Sequence, residues 1–198
     1  MGKIYYIMGK SASGKDSLFK LLKEDEGLGL KPVVLYTTRP KRQGEEEGRE
    51  YHFTDEAGLS ALRAAGKIIE ERVYHTVFGD WYYFTADDGR LAGGSDSWLG
   101  IGTLESYEKL AAYFGRDRVV PLYITVDPDI RLLRAVERER QQEKPSYTEL
   151  CRRFLADEED FSPEKLSAAG ITREFSNNGR LEDCAAKLRA AVLAEKER

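Results

Sequence analysis

The chain has 198 residues, 41% hydrophobic and 33% charged, which suits one core-bearing domain with an insertion or two rather than two independent domains. A formal net charge of −4 gives no overall footprint for DNA or RNA. The longest apolar runs, Ile4 to Met8 and Val119 to Val126, fall far short of the roughly 18 residues that span a membrane.

In chain order, Lys3 to Met8 reads as a buried strand with no signal-peptide pattern ahead of it. Gly9 bounds it, and a helix follows from Lys15 to Glu24 with Leu18, Leu21 and Leu22 at helical spacing. Val33 to Tyr36 reads as a second short strand. Residues 37–90 are rich in Tyr, Phe and Thr and read as short antiparallel strands, with Gly79-Asp80 as a hairpin turn. Residues 119–126 form a further strand, and Pro128 suits the first turn of the helix after it. Residues 138–150 are polar, and Lys144-Pro145 should interrupt a helix there. The last helix runs from Leu181 to Lys196. Strands alternating with helices predict an α/β fold, a parallel sheet flanked by helices on both faces. Residues 1–36, 91–137 and 160–198 form its core, 37–90 an inserted β-rich substrate subdomain and 138–159 a mobile lid. Two distant cysteines, Cys151 and Cys184, suit a reduced cytoplasmic setting, and two histidines, His52 and His75, argue against a zinc site.

The segment Gly9-Lys10-Ser11-Ala12-Ser13-Gly14-Lys15-Asp16 follows a strand and opens a helix, the context a G-x-x-x-x-G-K motif requires. Its glycines let successive N–H groups turn inward onto phosphate oxygens. The helix N-terminus adds partial positive charge, and Lys15 supplies a point charge to the β- and γ-phosphates of ATP. The residue after Lys15 is commonly Ser or Thr and binds Mg²⁺; here it is Asp16, followed by Ser17. Either Asp16 holds the metal, directly or through water, or it faces outward and leaves Ser17 to do so.

Positive charge is clustered locally at Arg39, Lys41 and Arg42, at Arg131, Arg134, Arg138 and Arg140, and at Arg152 and Arg153. Thr37-Thr38-Arg39, then Arg42, Gly44-Glu45, Gly48 and Tyr51-His52-Phe53 closely resemble the signature of the guanylate kinase family. That resemblance implies an ATP-dependent nucleoside monophosphate kinase in which Arg39, Arg42 and Tyr51 hold the acceptor phosphate. Two guanidinium forks and a phenol suit such an oxyanion on their own chemistry. Ile68-Ile69-Glu70 is similar to the family's strand ending in an acid that contacts guanine. A carboxylate accepts paired hydrogen bonds from N1–H and the exocyclic amine of that base. Trp81-Tyr82-Tyr83-Phe84-Thr85 resembles the segment where a Tyr meets phosphate and a Thr meets base, which implies Tyr83 and Thr85. Tyr82 fits a small aromatic core equally well.

By the same resemblance Arg134, Arg138 and Arg153 are lid arginines that neutralise the transferring phosphoryl group. Arg131 and Arg140 read instead as i,i+4 ion-pair partners on a solvated helix. Asn177 and Asn178 fall where the family packs the adenine of ATP. The sequence departs from the family at Leu35, where a Ser is usual, and at Leu99-Gly100-Ile101-Gly102, where an Asp-x-Asp ending is usual. Asp127 closes an apolar run but leads into the lid helix. The partners implied are small-molecule nucleotides, with no nucleic acid and no membrane. Two alternatives stay open: a P-loop kinase for another nucleotide or a sugar phosphate, and a non-catalytic binding module.

Overall fold

The computed structural model describes residues 2–76 and 79–197. Strand β1 (Ile4–Gly9) is buried at every position, as a near-continuous apolar run in the middle of a parallel sheet should be. It leads into α1 (Lys15–Glu24), followed by β2 (Leu30–Pro32), β3 (Tyr36–Thr37), β4 (His52–Phe53), α2 (Glu56–Ala64), β5 (Ile68–Thr76) and β6 (Gly79–Ala86). The remainder is β7 (Ser97–Gly102), α3 (Leu104–Phe114), β8 (Val119–Thr125), α4 (Pro128–Arg140), α5 (Tyr147–Asp160), α6 (Pro163–Ala168), β9 (Glu174–Ser176) and α7 (Leu181–Lys196).

Two sheets result. The first is parallel, in the order β2-β7-β1-β8-β9. Alternation along β1 sends Tyr5 and Ile7 into a core with Leu18, Leu22, Leu188 and Val192 of α1 and α7. Ile4, Tyr6 and Met8 enter the opposite core with Tyr107 and Leu110 of α3 and with Phe161. Each fully buried Leu or Ile there contributes roughly 1.5–3 kcal/mol. Helices therefore cover both faces, as the alternation of elements predicted.

The second sheet has the order β4-β3-β6-β5 and is mixed: β3 pairs β4 in parallel and β6 antiparallel. This corrects the expectation of short antiparallel strands throughout, since β5 and β6 run nine and eight residues. It also contains α2, which the aromatic richness of the stretch concealed; Asp55 caps that helix by accepting from the Gly58 amide at 2.8 Å. The strand expected over Val33 to Tyr36 is divided. Val33 still donates to the Leu99 carbonyl of the first sheet at 2.8 Å, while Tyr36 already pairs with Phe84 of the second, so Val34 and Leu35 cross between sheets. Gly79 and Asp80 are not a turn but the first ladder positions of β6, opposite Thr76 and His75; residues 77 and 78 lie outside the described residues. Lys144-Pro145 lies in the break between α4 and α5, where interruption was expected.

Candidate active site

The loop between β1 and α1 is shaped by residues that tolerate close approach. Gly14 and Ala12 both take left-handed backbone, with φ of 84° and 63°. A Cβ on Gly14 would meet Nδ2 of Asn177 at 2.5 Å, and one on Gly9 the Ile124 carbonyl at 2.6 Å. Ala12 has no such freedom, and its conformation stores about 1–2 kcal/mol of strain at the loop. Asn177 is 3% exposed and donates Nδ2 to the Ser13 carbonyl at 2.8 Å, bracing the loop. Asn178 accepts from the Asp127 amide at 2.8 Å. The Ser13 hydroxyl is buried with no hydrogen-bond partner among the described residues. Lys15 opens α1 with its ammonium 3.7 Å from the Asp16 carboxylate; Asp16 and Ser17 are exposed in that first turn.

Arg131 departs most from expectation. Rather than pairing along a solvated helix, it is 1% exposed and crosses to α5. There it pairs with Asp157 at 3.2 Å and with Glu158, and its guanidinium lies 3.6 Å from the Phe154 ring centre. A buried guanidinium needs carboxylates on its donors, and only the adjacent helix supplies them. Asp157 also accepts from the Ser11 amide at 2.8 Å, and Lys10 pairs with Glu158 at 2.5 Å, so α5 is tied directly to the loop. Arg138 donates to the Ser11 hydroxyl at 3.2 Å. Arg138 and Arg153 line one small pocket with Ser11, although Arg153 is engaged by Glu149 at 3.1 Å; Arg134, half-buried on α4, is not among its walls.

A cleft of about 550 Å³ opens between the two sheets. Lys15 and Asp16 line it together with Leu35, Tyr51, Arg72, Tyr83 and Gly102. A larger groove of about 730 Å³ runs over Thr38 to Lys41, Arg39 among them, and over Phe53 to Glu56, but it does not reach Lys15. The chemistry therefore belongs to the smaller cleft. Arg39, 3% exposed, donates Nε to the Tyr83 hydroxyl at 3.2 Å and pairs with Glu45 at 2.7 Å, its guanidinium 5.5 Å from the Tyr51 ring centre. The hydrogen bond from Arg39 holds the Glu45 carboxyl below its usual range. Arg42 offers only its backbone amide to Glu45, at 2.8 Å, and its side chain is exposed. Arg39, Tyr51 and Tyr83 thus converge, while Arg42 stands apart from them.

At the other end Glu70 is 4% exposed, beside Thr85 at 3%. Its carboxylate accepts from the Thr85 hydroxyl at 3.1 Å and the Ser106 hydroxyl at 3.3 Å, with Arg72 at 3.4 Å. Of the two tyrosines left open, Tyr83 turns to Arg39 and Tyr82 to the small core of Leu59, Phe84 and Ala86. Sequence reasoning missed Arg72, although its place two residues past Glu70 put it on the same strand face. Ser106 and Asp157 carried no local signal.

A nucleotide phosphate chain fits the loop through its left-handed turn and orphaned Ser13 hydroxyl. Mg²⁺ fits the same mouth, because it takes one or two protein carboxylates and completes its shell with phosphate and water, and Asp16 is an exposed carboxylate beside Lys15. Among the described residues no group of three His, Cys, Asp or Glu side chains forms a fuller cation cage.

A parallel sheet with a phosphate-binding loop at its carboxyl end, facing a second sheet across a charged cleft, defines a P-loop α/β protein of nucleotide-kinase architecture. The family profile described as guanylate kinase matches residues 1–86. A guanylate kinase of Bordetella pertussis is 30% identical over 158 residues, covering 78% of this chain and 68% of that protein. One of Cupriavidus pinatubonensis is 29% identical across 97% of this chain and 85% of its own length. One of Alkalilimnicola ehrlichii reaches 42%, but over 82 residues that span only 38% of that protein. The crystal structure of guanylate kinase from Anaplasma phagocytophilum shares the fold, with a TM-score of 0.58 at 24% identity over 100% of this chain and 87% of that one. The chain belongs to the guanylate kinase family.

Proposed function

We propose that this protein transfers the terminal phosphoryl group of ATP to GMP, giving ADP and GDP, as a Mg²⁺-dependent cytoplasmic enzyme. The observation that carries the reading is the cleft itself, lined by Lys15 and Asp16 together with Tyr51, Arg72 and Tyr83, with the buried Arg39 bonded to Tyr83 and the buried Glu70 paired with Arg72 behind that lining. In this reading residues 9–17 hold the ATP phosphates, with Ser11, Ala12, Ser13 and Gly14 turning their backbone onto them. Arg39, Tyr51 and Tyr83 take the GMP phosphate, joined by Arg42 once a phosphate is there to draw in its exposed side chain. Glu70 and Thr85 read the guanine edge. Arg134, Arg138 and Arg153 close over the transferring group from α4 and α5, and Asn177 and Asn178 lie near the adenine. The division into a core of 1–36, 91–137 and 160–198, an acceptor insertion of 37–90 and a lid of 138–159 belongs to the same proposal. The tie between Asp157 and Ser11 supports a lid that moves about an anchored end.

Steady-state kcat/KM for GMP, dGMP, AMP, CMP, UMP and a sugar phosphate, followed by ADP release, tests it. GMP and dGMP are expected to lead the others. If another acceptor leads, the alternative kinase reading replaces this one; if none is phosphorylated while GMP still binds, the binding-module reading does.

When bound, Mg²⁺ neutralises phosphate charge. Asp16→Ala is expected to raise the Mg²⁺ concentration for half-maximal rate, and Ser17→Ala to raise it less, because a carboxylate binds this hard cation more strongly than a hydroxyl. An unchanged Mg²⁺ titration in Asp16→Ala would leave it as a surface residue of α1.

A further inference from the structure

Tyr6 occupies space that two residues of the neighbouring strand leave open. It stands in register with Gly100, so on β1 it faces the same side as Gly100 and Gly102 on β7. A Cβ on Gly100 would lie 2.5 Å from the Tyr6 ring, and one on Gly102 would fall closer still to its hydroxyl. Neither glycine has positive φ, so glycine is required there by room and not by backbone conformation. The ring thus fills the volume of two absent side chains, and its hydroxyl reaches the carboxyl end of the sheet, beside the cleft that Gly102 lines.

Beside that hydroxyl, Ser106 is bonded to the buried acid Glu70. Ser106, on α3, adjoins the same space in front of Gly102 as the Tyr6 hydroxyl and donates to one carboxylate oxygen of Glu70 at 3.3 Å. Thr85 donates to the other oxygen at 3.1 Å. Ser106 has one hydroxyl proton; given to Glu70, it leaves lone pairs free to accept, and the Thr103 hydroxyl lies 3.1 Å away. Burial, followed by the Glu70 charge, pushes the Tyr6 phenol above its ordinary range, so it remains a donor at neutral pH.

We propose that Tyr6 is a positioning residue for recognition of the acceptor base, fixing the Glu70 carboxylate through Ser106 while keeping positions 100 and 102 clear of side chains. The inference rests on the GMP reading above. Guanine offers two adjacent donors, N1–H and the exocyclic amine, and a carboxylate pairs with both only when its plane matches the base. Inosine monophosphate lacks the amine, so the ratio of kcat/KM for GMP over IMP reports the orientation of that carboxylate.

The test measures this ratio for wild type, Tyr6→Phe and Ser106→Ala, with Tm and the KM for ATP alongside. Tyr6→Phe is expected to lower the GMP/IMP ratio about five- to tenfold, the scale of one hydrogen bond, with ATP KM unchanged. Adding Gly102→Ala is expected to lower Tm less in the Tyr6→Phe background than in wild type, because the obstructing hydroxyl is gone. An unchanged ratio in folded Tyr6→Phe overturns the inference. If that variant does not fold, Ser106→Ala carries the test, and an unchanged ratio there overturns it equally. A wild type with no preference for GMP over AMP overturns the GMP reading and this inference with it. A GMP-selective wild type whose ratio ignores Tyr6 and Ser106 overturns the inference alone.

Discussion

Lys15→Ala is expected to lower kcat by about 100- to 1,000-fold while leaving the protein folded, the scale seen when one preorganised charge or donor is removed from a developing anion. Lys15 begins α1 and lines the cleft, and its ion pair with the exposed Asp16 is long, at 3.7 Å. Little of the fold depends on it, because the helix is held by Leu18 and Leu22 in the core behind. A thermal melt close to wild type, together with single-turnover transfer measured at saturating ATP, separates loss of chemistry from loss of structure. Near-normal transfer in a folded variant would remove the loop from the reaction.

Arg39→Ala is expected to weaken GMP binding by about 10- to 100-fold or more and to leave ATP binding little changed, since charge-assisted hydrogen bonds contribute roughly 1.5–3 kcal/mol each. The structure separates Arg39 from Arg42. Arg39 is buried and held by Glu45, Tyr83 and the Pro40 carbonyl, so its fork is preset before any ligand arrives. Arg42 is exposed and must be ordered on binding, which costs side-chain entropy. Arg42→Ala should therefore weaken GMP less than Arg39→Ala. Arg39→Ala should also lower Tm, because it strips a packed guanidinium from beside Tyr51 and Phe53. Arg39→Lys should recover part of the stability and little of the affinity, since an ammonium lacks the planar fork. Calorimetric titration with GMP and with a non-hydrolysable ATP analogue checks all of this. Equal losses for both ligands would place Arg39 outside the acceptor site.

Local patterns in the sequence determined much of this protein. An apolar run, two glycines and a lysine ahead of amphipathic helix spacing specify a strand, loop and helix through short-range backbone and side-chain rules, and the structure has them at Ile4–Gly9 and Lys15–Glu24. The alternation of strands and helices likewise announced the parallel sheet, and the Arg, Gly-Glu and Tyr spacing after Thr37 announced the family. What the sequence could not determine lies wherever two distant segments meet. Arg131 has the local pattern of a solvated helix face, and only the packing of α5 across it, with Asp157 and Glu158, turns it into a buried tie to the loop. Asn177 sits in a polar run, yet the return of β9 beside β8 sets its amide behind Ser13. Gly100 and Gly102 look like lost functional positions until Tyr6, 94 and 96 residues earlier, is found filling their space. Burial and hydrogen-bond partnership are properties of pairs separated by long stretches of chain. Periodicity and motif spacing report only on neighbours, so these contacts were decided when the sheets and helices packed.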